Sequence, residues 1–326
     1  MEYLIIFHFF CTFAENKIYH FMGKVTYRTE PLDYKVVTEN IVNGLRNYFD
    51  KCGIKVAILG ISGGIDSSLC AALARMAGIR LIGLSLPCST NEDCENEAAN
   101  LVGAEFCDEF KVVNLQPMFE AMEKFCQDAS GVNSTSISQG NIKARLRMIT
   151  LYDIASKMGG IVLDSDQVTE NALGFFTIHG DSSDLTPIGG LWKHEVYGLA
   201  QYLKENVFKG SKALEASIAL MPTDGNGVAA GGDLAQIAPG KTYNDVDEIL
   251  HAWVGLDNRC KEDVLKKNFD YGVFTPLCQK HGKETVERVI MRSVKSEFKR
   301  KHMPFVIDIF NGNTLDGEGN IYKTLS

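Results

Sequence analysis

Apolar runs and polar gaps alternate between residues 38 and 164 in a way that separates strands from helices. Ile41, Leu45, Tyr48 and Phe49 recur at helical spacing over 38–51, with Thr38 as the expected N-cap. "KVAILG" (55–60) is a short apolar run ending on glycine, the pattern of a buried strand. "SLCAALARMAG" (68–78), rich in Ala and Leu and closed by Gly, predicts a helix. "RLIGLSL" (80–86), "KVVNL" (111–115) and "GIVLD" (160–164) predict three more strands. A long helix over 141–158, stopped by paired glycines, precedes the last of them. Strands alternating with helices predict the α/β class: a doubly wound, mostly parallel sheet with helices on both faces. Ligands of such sheets sit beyond the carboxyl ends of the strands.

Further along, Gly225, Gly227, Gly231, Gly232 and Gly240 mark residues 221–242 as a long loop. Helical periodicity returns over 244–302, which predicts a helical C-terminal part. No repeat or low-complexity tract is visible. Residues 1–30 read as an N-terminal extension and 31–326 as one catalytic domain. The apolar stretch "YLIIFHFFCTF" is eleven residues long, too short to span a bilayer. "MEY" before it carries no positive charge, so a secretion signal is disfavoured. The extension reads instead as a mis-assigned start, with Met22 as the alternative start, or as a docking segment.

Composition narrows the class. The chain has 326 residues, 45% hydrophobic and 23% charged, with a formal net charge of −8. That balance argues against broad phosphate-backbone binding, so no nucleic-acid partner is expected, and with no other candidate membrane segment no membrane is expected either. Nine cysteines without a C-x-x-C pair suit reduced thiols in the cytoplasm rather than a disulfide frame or a zinc site.

The chemistry begins at "ILGISGGIDSS" (58–68). Gly60, Gly63 and Gly64 let backbone approach a ligand, and the N–H groups around Ile61 and Ile65 form an anion nest at a helix N-terminus. Ser62, Ser67 and Ser68 add hydroxyls. The stretch lacks the lysine and spacing of a Walker loop. Asp66 inside a phosphate cradle repels its ligand unless a divalent cation lies between them, which Mg²⁺ would satisfy.

S-G-G-x-D-S after a buried strand resembles the pyrophosphate loop of the ATP pyrophosphatase (PP-loop) group, whose fold is adenine-nucleotide α-hydrolase-like. "QGNIKARLRM" (139–148), "DSDQVTENALGFFTIHGD" (164–181) and "LTPIGGLWKHEV" (185–196) resemble the NAD synthetase family within that group, over roughly residues 36–304. The resemblance implies amidation of deamido-NAD by ammonia through an adenylated intermediate, with ATP as co-substrate and Mg²⁺ as cofactor. It implies ATP contacts from the loop 60–67, Ser165, Lys193 and Thr223. Deamido-NAD contacts fall to Arg145, His179, Asp184 and Lys299, and the second metal carboxylate to Glu170. It also implies a homodimer.

Asp166 takes a different role. Ammonia attacks only when neutral, and a carboxylate can bind ammonium and accept its proton, so Asp166 is the expected catalytic base. Segment 87–96 resembles a loop that covers the site, with Asp93 at the family's acidic position. Gln167, Ile178 and Phe298 depart from the family's usual His, Lys and His. Glutamine-dependent relatives carry a long amidase domain, which the 50-odd residues before the loop cannot hold, so free ammonia or a separate partner is the expected nitrogen source. The rival readings are a PP-loop enzyme with another acceptor and a non-catalytic nucleotide sensor.

Overall fold

The structure, a computed structural model, describes residues 31–89, 91–181, 183–222, 234–301, 306–307, 309 and 314–315. The N-terminal extension 1–30 and most of the glycine-rich loop, with Thr223, lie outside the described residues. Four strands, β1 (Val56–Gly60), β2 (Arg80–Ser85), β3 (Glu109–Val112) and β4 (Ile161–Leu163), form one sheet in the order β3-β2-β1-β4. Every pairing is parallel.

The strands alternate despite their continuous apolar sequence. Ala57, Leu59 and Leu81 point into one cluster and Val56, Ile58, Ile82 and Leu84 into another, as the twofold strand period requires. The first cluster is covered by α1 (Tyr34–Cys52), α2 (Ile65–Ala77), α3 (Asp93–Phe106), α7 (Lys193–Asn206) and α8 (Lys212–Ala219). The second is covered by α4 (Gln116–Ser130) and α5 (Ser136–Met158). Both faces are therefore covered over β1, β2 and β4, while the edge strand β3 leaves Glu109, Lys111 and Val112 exposed; each fully buried aliphatic side chain contributes roughly 1.5–3 kcal/mol. A third cluster joins α6 (Val168–Leu173), α9 (Tyr243–Val254), α10 (Asn258–Lys266), α11 (Phe274–His281) and α12 (Lys283–Lys295) into the helical C-terminal layer. A 3₁₀ turn (Glu297–Arg300) and a two-residue antiparallel pair, β5 (Val306–Ile307) with β6 (Thr314–Leu315), follow.

Three expected boundaries move. The first helix starts at Tyr34 because Asp33 is its N-cap, accepting from Lys35 N at 3.0 Å and Val36 N at 3.3 Å. Thr38 lies inside that helix and spends its hydroxyl on the Tyr34 carbonyl. β3 starts at Glu109, ahead of the apolar "KVV", because its register runs from Ile82↔Glu109 to Ser85↔Val112. The second helix begins at Ile65, so Asp66 stands in its first turn. Among the described residues no helix is long and apolar enough to cross a membrane.

Candidate active site

From β1 the chain proceeds outward through β2 to β3, whereas β4 arrives on β1's other side. The carboxyl ends of β1 and β4 are thus the topological switch point, where a crevice opens in a sheet of this kind. The loop after β1 and the turn after β4 line a cleft of about 670 Å³ there.

The loop holds its own shape. Ser67 Oγ accepts from Ser62 N at 3.3 Å and donates to the Gly64 carbonyl at 3.2 Å, while Ser62 Oγ accepts from Gly64 N at 3.2 Å. Gly63 takes φ +86°, and a Cβ there would collide with the Glu95 carbonyl oxygen and approach Ala99 N to 2.9 Å. It is glycine because α3 packs on its back, and the cleft lining does not include it. Gly64 caps α2 with no side-chain hydrogen bond, so first-turn N–H groups face the cleft with the helix dipole behind them. Ile61 and Ile65 are buried in the core and lend the cleft mainly backbone. Ser68 turns away, to the buried Ser217 hydroxyl at 2.7 Å.

Across from the loop, Lys193 opens α7 with its side chain 2% exposed. Its ammonium pairs with Asp66 Oδ2, lies 3.7 Å from Glu170 Oε1, and sits 5.6 Å from the centre of the Tyr243 ring. A buried cation requires such partners. The other Asp66 oxygen, Oδ1, is buried with no hydrogen-bond partner. Three residues far apart in sequence, expected to share one phosphate and metal site, are therefore brought together.

The turn after β4 carries the second group. Asp164 is the anchor: its carboxylate accepts from Asp166 N at 2.9 Å, Thr186 Oγ1 at 3.2 Å and Ser183 N at 3.4 Å. Burial nevertheless pushes its carboxyl above the usual range. Burial, then the charges of Asp164, Glu170, Asp181 and Asp66, push Asp166 well above it. Ser165 lines the same cleft. Gln167 Oε1 accepts from Thr169 N at 2.6 Å and Glu170 N at 3.2 Å, so this departure from the family pattern caps the helix that bears Glu170.

At the far wall, the Lys299 ammonium donates to the carbonyls of Gly174 at 2.8 Å and Phe176 at 2.5 Å and lies over the Phe176 ring. Burial and then the Arg292 charge hold it below the usual lysine range. A third N–H of the ammonium is left for a ligand. Arg145, His179 and Asp184 are exposed and stand outside the cleft lining. Arg145 donates to the Ile178 carbonyl at 3.2 Å, and His179 adopts a left-handed φ of 56°. Asp184 accepts from Val162 N at 2.9 Å and the Tyr152 hydroxyl at 3.1 Å. In segment 87–96, Asn91, Glu95 and Asn96 line the cleft, and Asp93 begins α3 on its exposed side.

Sequence reasoning passed over Arg147, Asp164 and Asp181. Arg147 is the α5 cation inside the cleft, donating from Nε to the Leu86 carbonyl at 3.1 Å. Its signal was its helix phase two residues beyond Arg145, about 200° around the axis.

The NAD synthase family model matches residues 37–303. An NH(3)-dependent NAD(+) synthetase of Fusobacterium nucleatum is 31% identical over 282 residues, covering 85% of this chain and 97% of that protein. One from Pseudomonas aeruginosa is 33% identical over 213 residues, covering 61% of this chain and 74% of that protein. Among solved structures, the NH3-dependent NAD synthetase from Campylobacter jejuni overlays with a TM-score of 0.62 at 26% identity, over 85% of this chain and all (100%) of that one. An NMN synthetase from Francisella tularensis shares the fold, with a TM-score of 0.64 at 24% identity, over 84% of this chain and 98% of that one. With the matched region spanning the sheet, the switch-point cleft and the helical layer, the chain belongs to the NAD synthase family.

Proposed function

We propose that this cleft performs both halves of ammonia-dependent NAD synthesis, and that the Asp66–Lys193–Glu170 cluster at the uncapped α2 N-terminus is the observation that carries the reading. ATP is the co-substrate. Its phosphates suit the loop 60–67, where backbone N–H groups, hydroxyls and Lys193 offer donors to an anion. A deamido-NAD carboxylate oxygen bonds to the α-phosphorus while the α–β bridge breaks, and pyrophosphate leaves. Ammonia then bonds to the acyl carbon, AMP leaves, and one proton must be removed. The chain lets Asp166 take that proton. Its neighbours make it a stronger base than an ordinary aspartate, and an arriving ammonium supplies the positive charge that ionises it.

Asp66 and Glu170 would hold Mg²⁺. The donor set fits, because Asp66 Oδ1 is a buried acceptor without a partner. Bound there, Mg²⁺ would neutralise the triphosphate and support the departing pyrophosphate. Among the described residues no group of three His, Cys, Asp or Glu side chains could hold a metal unaided. That agrees with an ion that takes most of its ligands from phosphate and water. Ser165 and Thr223 are assigned to ATP, and Lys299, Arg145, His179 and Asp184 to the dinucleotide, on the family resemblance.

Residues 31–326 serve as one catalytic domain in this reading. The eight described cysteines are free thiols, which supports a cytoplasmic site of action. A second copy of the chain covers α4 and α5, where Met118, Phe125, Ile137 and Ile149 are exposed.

The test mixes ATP, Mg²⁺, deamido-NAD and an ammonium salt, and quantifies NAD, AMP and pyrophosphate. Equal amounts of all three are expected, with glutamine failing to replace ammonium. AMP formed without need of deamido-NAD would point to another acceptor. No AMP at all would point to a nucleotide sensor.

A further inference from the structure

Lys193 and Glu170 meet in the cleft from two different helices, and something must set the spacing between them. Lys193 is the first residue of α7, yet the N-cap, Trp192, makes no side-chain hydrogen bond to the helix. The first N–H groups of α7 find acceptors elsewhere. Lys193 N donates to Thr169 Oγ1 at 2.9 Å, and His194 N donates to Asp247 Oδ2 at 3.0 Å. The Thr169 hydroxyl in turn donates to Asp247 Oδ1 at 2.5 Å, and His194 Nδ1 meets Asp247 Oδ2 at 2.8 Å.

Asp247 comes from α9, in the helical layer, and its side chain is 1% exposed. A carboxylate so buried is tolerated only when its lone pairs are filled, and here the two oxygens accept from a hydroxyl, a backbone N–H and an imidazole. Those donors belong to the residue before Glu170, on α6, and the residue after Lys193, on α7. One side chain therefore acts as a borrowed N-cap for α7 and, through Thr169, as a tie to α6. The two backbones it joins are those that present Lys193 and Glu170 to Asp66.

We infer that Asp247 is a positioning residue for the Lys193–Glu170–Asp66 cluster, acting through Thr169 and the α7 N-terminus. The inference rests on the proposed role of that cluster in adenylation. A purely structural cap would lower melting temperature without touching the chemical step at temperatures well below melting.

The test follows pyrophosphate exchange into ATP in the presence of deamido-NAD, which reads the adenylation half-reaction alone, together with KM values and melting curves. Asp247→Asn keeps the size of the side chain but sets an amide donor against donors. It is expected to lower the exchange kcat about 10–100-fold, the range typical for removal of an outer partner of a site. KM for deamido-NAD should stay within about twofold, as expected when remote dinucleotide binding is untouched. Thr169→Ala, a smaller change that leaves Asp247 in place, should reproduce most of that loss. Thr169→Ser should restore the rate, and the double variant Asp247→Asn with Thr169→Ala should be no worse than the more damaged single one. Should Asp247→Asn fail to fold, the Thr169 pair alone decides. Full exchange activity in folded Thr169→Ala, or losses that multiply in the double variant, would overturn the inference. A separate control, Lys193→Met, tests the cluster itself: if it exchanges pyrophosphate at the parental rate, the underlying reading fails whatever Asp247 does.

Discussion

Asp166 sits in a crowd of its own charge. Burial comes first, then Asp164, Glu170, Asp181 and Asp66, and all push its carboxyl pKa up. In the unfolded chain it has an ordinary aspartate value near 3.9. A folded pKa above the unfolded one means that the folded chain binds more protons between the two values, so stability falls as pH rises through that window. Each unit of separation costs about 1.4 kcal/mol once pH exceeds both values. Asp166→Asn removes the carboxylate while keeping its shape. The ligand-free variant should therefore melt above the parent at pH 7–8, with the gap closing as pH falls below about 4, where the unfolded carboxyl also becomes protonated. The same change should leave adenylation intact and slow amide formation by about 10²–10⁴-fold, the usual contribution of a positioned base. Pre-steady-state measurement of AMP against pyrophosphate separates the halves, and equal loss in both would remove Asp166 from the proton-accepting role. The proposed role as base and the stability of the fold oppose one another at this residue, and the sequence pattern announced only part of that conflict. Burial is its first cause; Asp164 and Glu170 lie in the same stretch of sequence, but Asp181 and Asp66, the latter about a hundred positions upstream, join them only in the fold.

At the scale of elements, the strand–loop–helix unit 56–77 was legible because its causes are local. Apolar run, glycines, small hydroxyl residues and an Ala-rich helix all lie within about twenty positions. One part of that unit has a non-local cause. Gly63 resembled part of a phosphate cradle, but the residue that excludes a side chain there is Glu95, on α3. Gly63→Ala is thus expected to force both a strained φ, worth roughly 1–3 kcal/mol, and a displacement of α3. Thermal melting should show a loss of at least that size, and calorimetry should show weaker ATP binding, because the loop and the α3 end that lines the cleft move together. An unchanged melting temperature would mean that the loop relaxes without α3. The pairing of α6 with α7 was not legible at all. Its tie, Asp247, is 78 positions from Thr169 and sits in an amphipathic helix that reads only as core-facing. The C-terminal cations show the same limit. By charge pattern alone "KRKH" (299–302) reads as a solvated run, and only the resemblance singled out Lys299; in the structure Arg300 donates to the carbonyls of Asn171 and Ala172 and Lys299 to those of Gly174 and Phe176, closing the C-terminus of α6.

At the scale of the whole molecule, the residues proposed for the dinucleotide fall into two places. Lys299 lines the cleft, whereas Arg145 is exposed on α5, one turn before exposed Ile149. Met118 and Phe125 on α4 are exposed apolar residues as well, and Ile137, exposed on α5, lines the cleft. A specific, stable interface buries about 1,200–2,000 Å² in total, and a pair of adjacent helices of 15 and 23 residues is of the right length to supply a large part of one side. If a second copy docks on this face, Arg145 stands at the seam, where a long dinucleotide reaching out of the cleft would meet it. Phe125 is 69% exposed, so Phe125→Asp has little packing to lose within the chain but sets a charge into the seam. Sedimentation is expected to find the parent as a dimer and Phe125→Asp as a monomer with an unchanged melting curve at low protein concentration. ATP binding, proposed to use the loop of a single chain, should persist, while KM for deamido-NAD rises at least tenfold. A monomeric parent, or a monomeric variant with an unaltered KM for deamido-NAD, would confine the dinucleotide to one chain and leave Arg145 without a part in binding it.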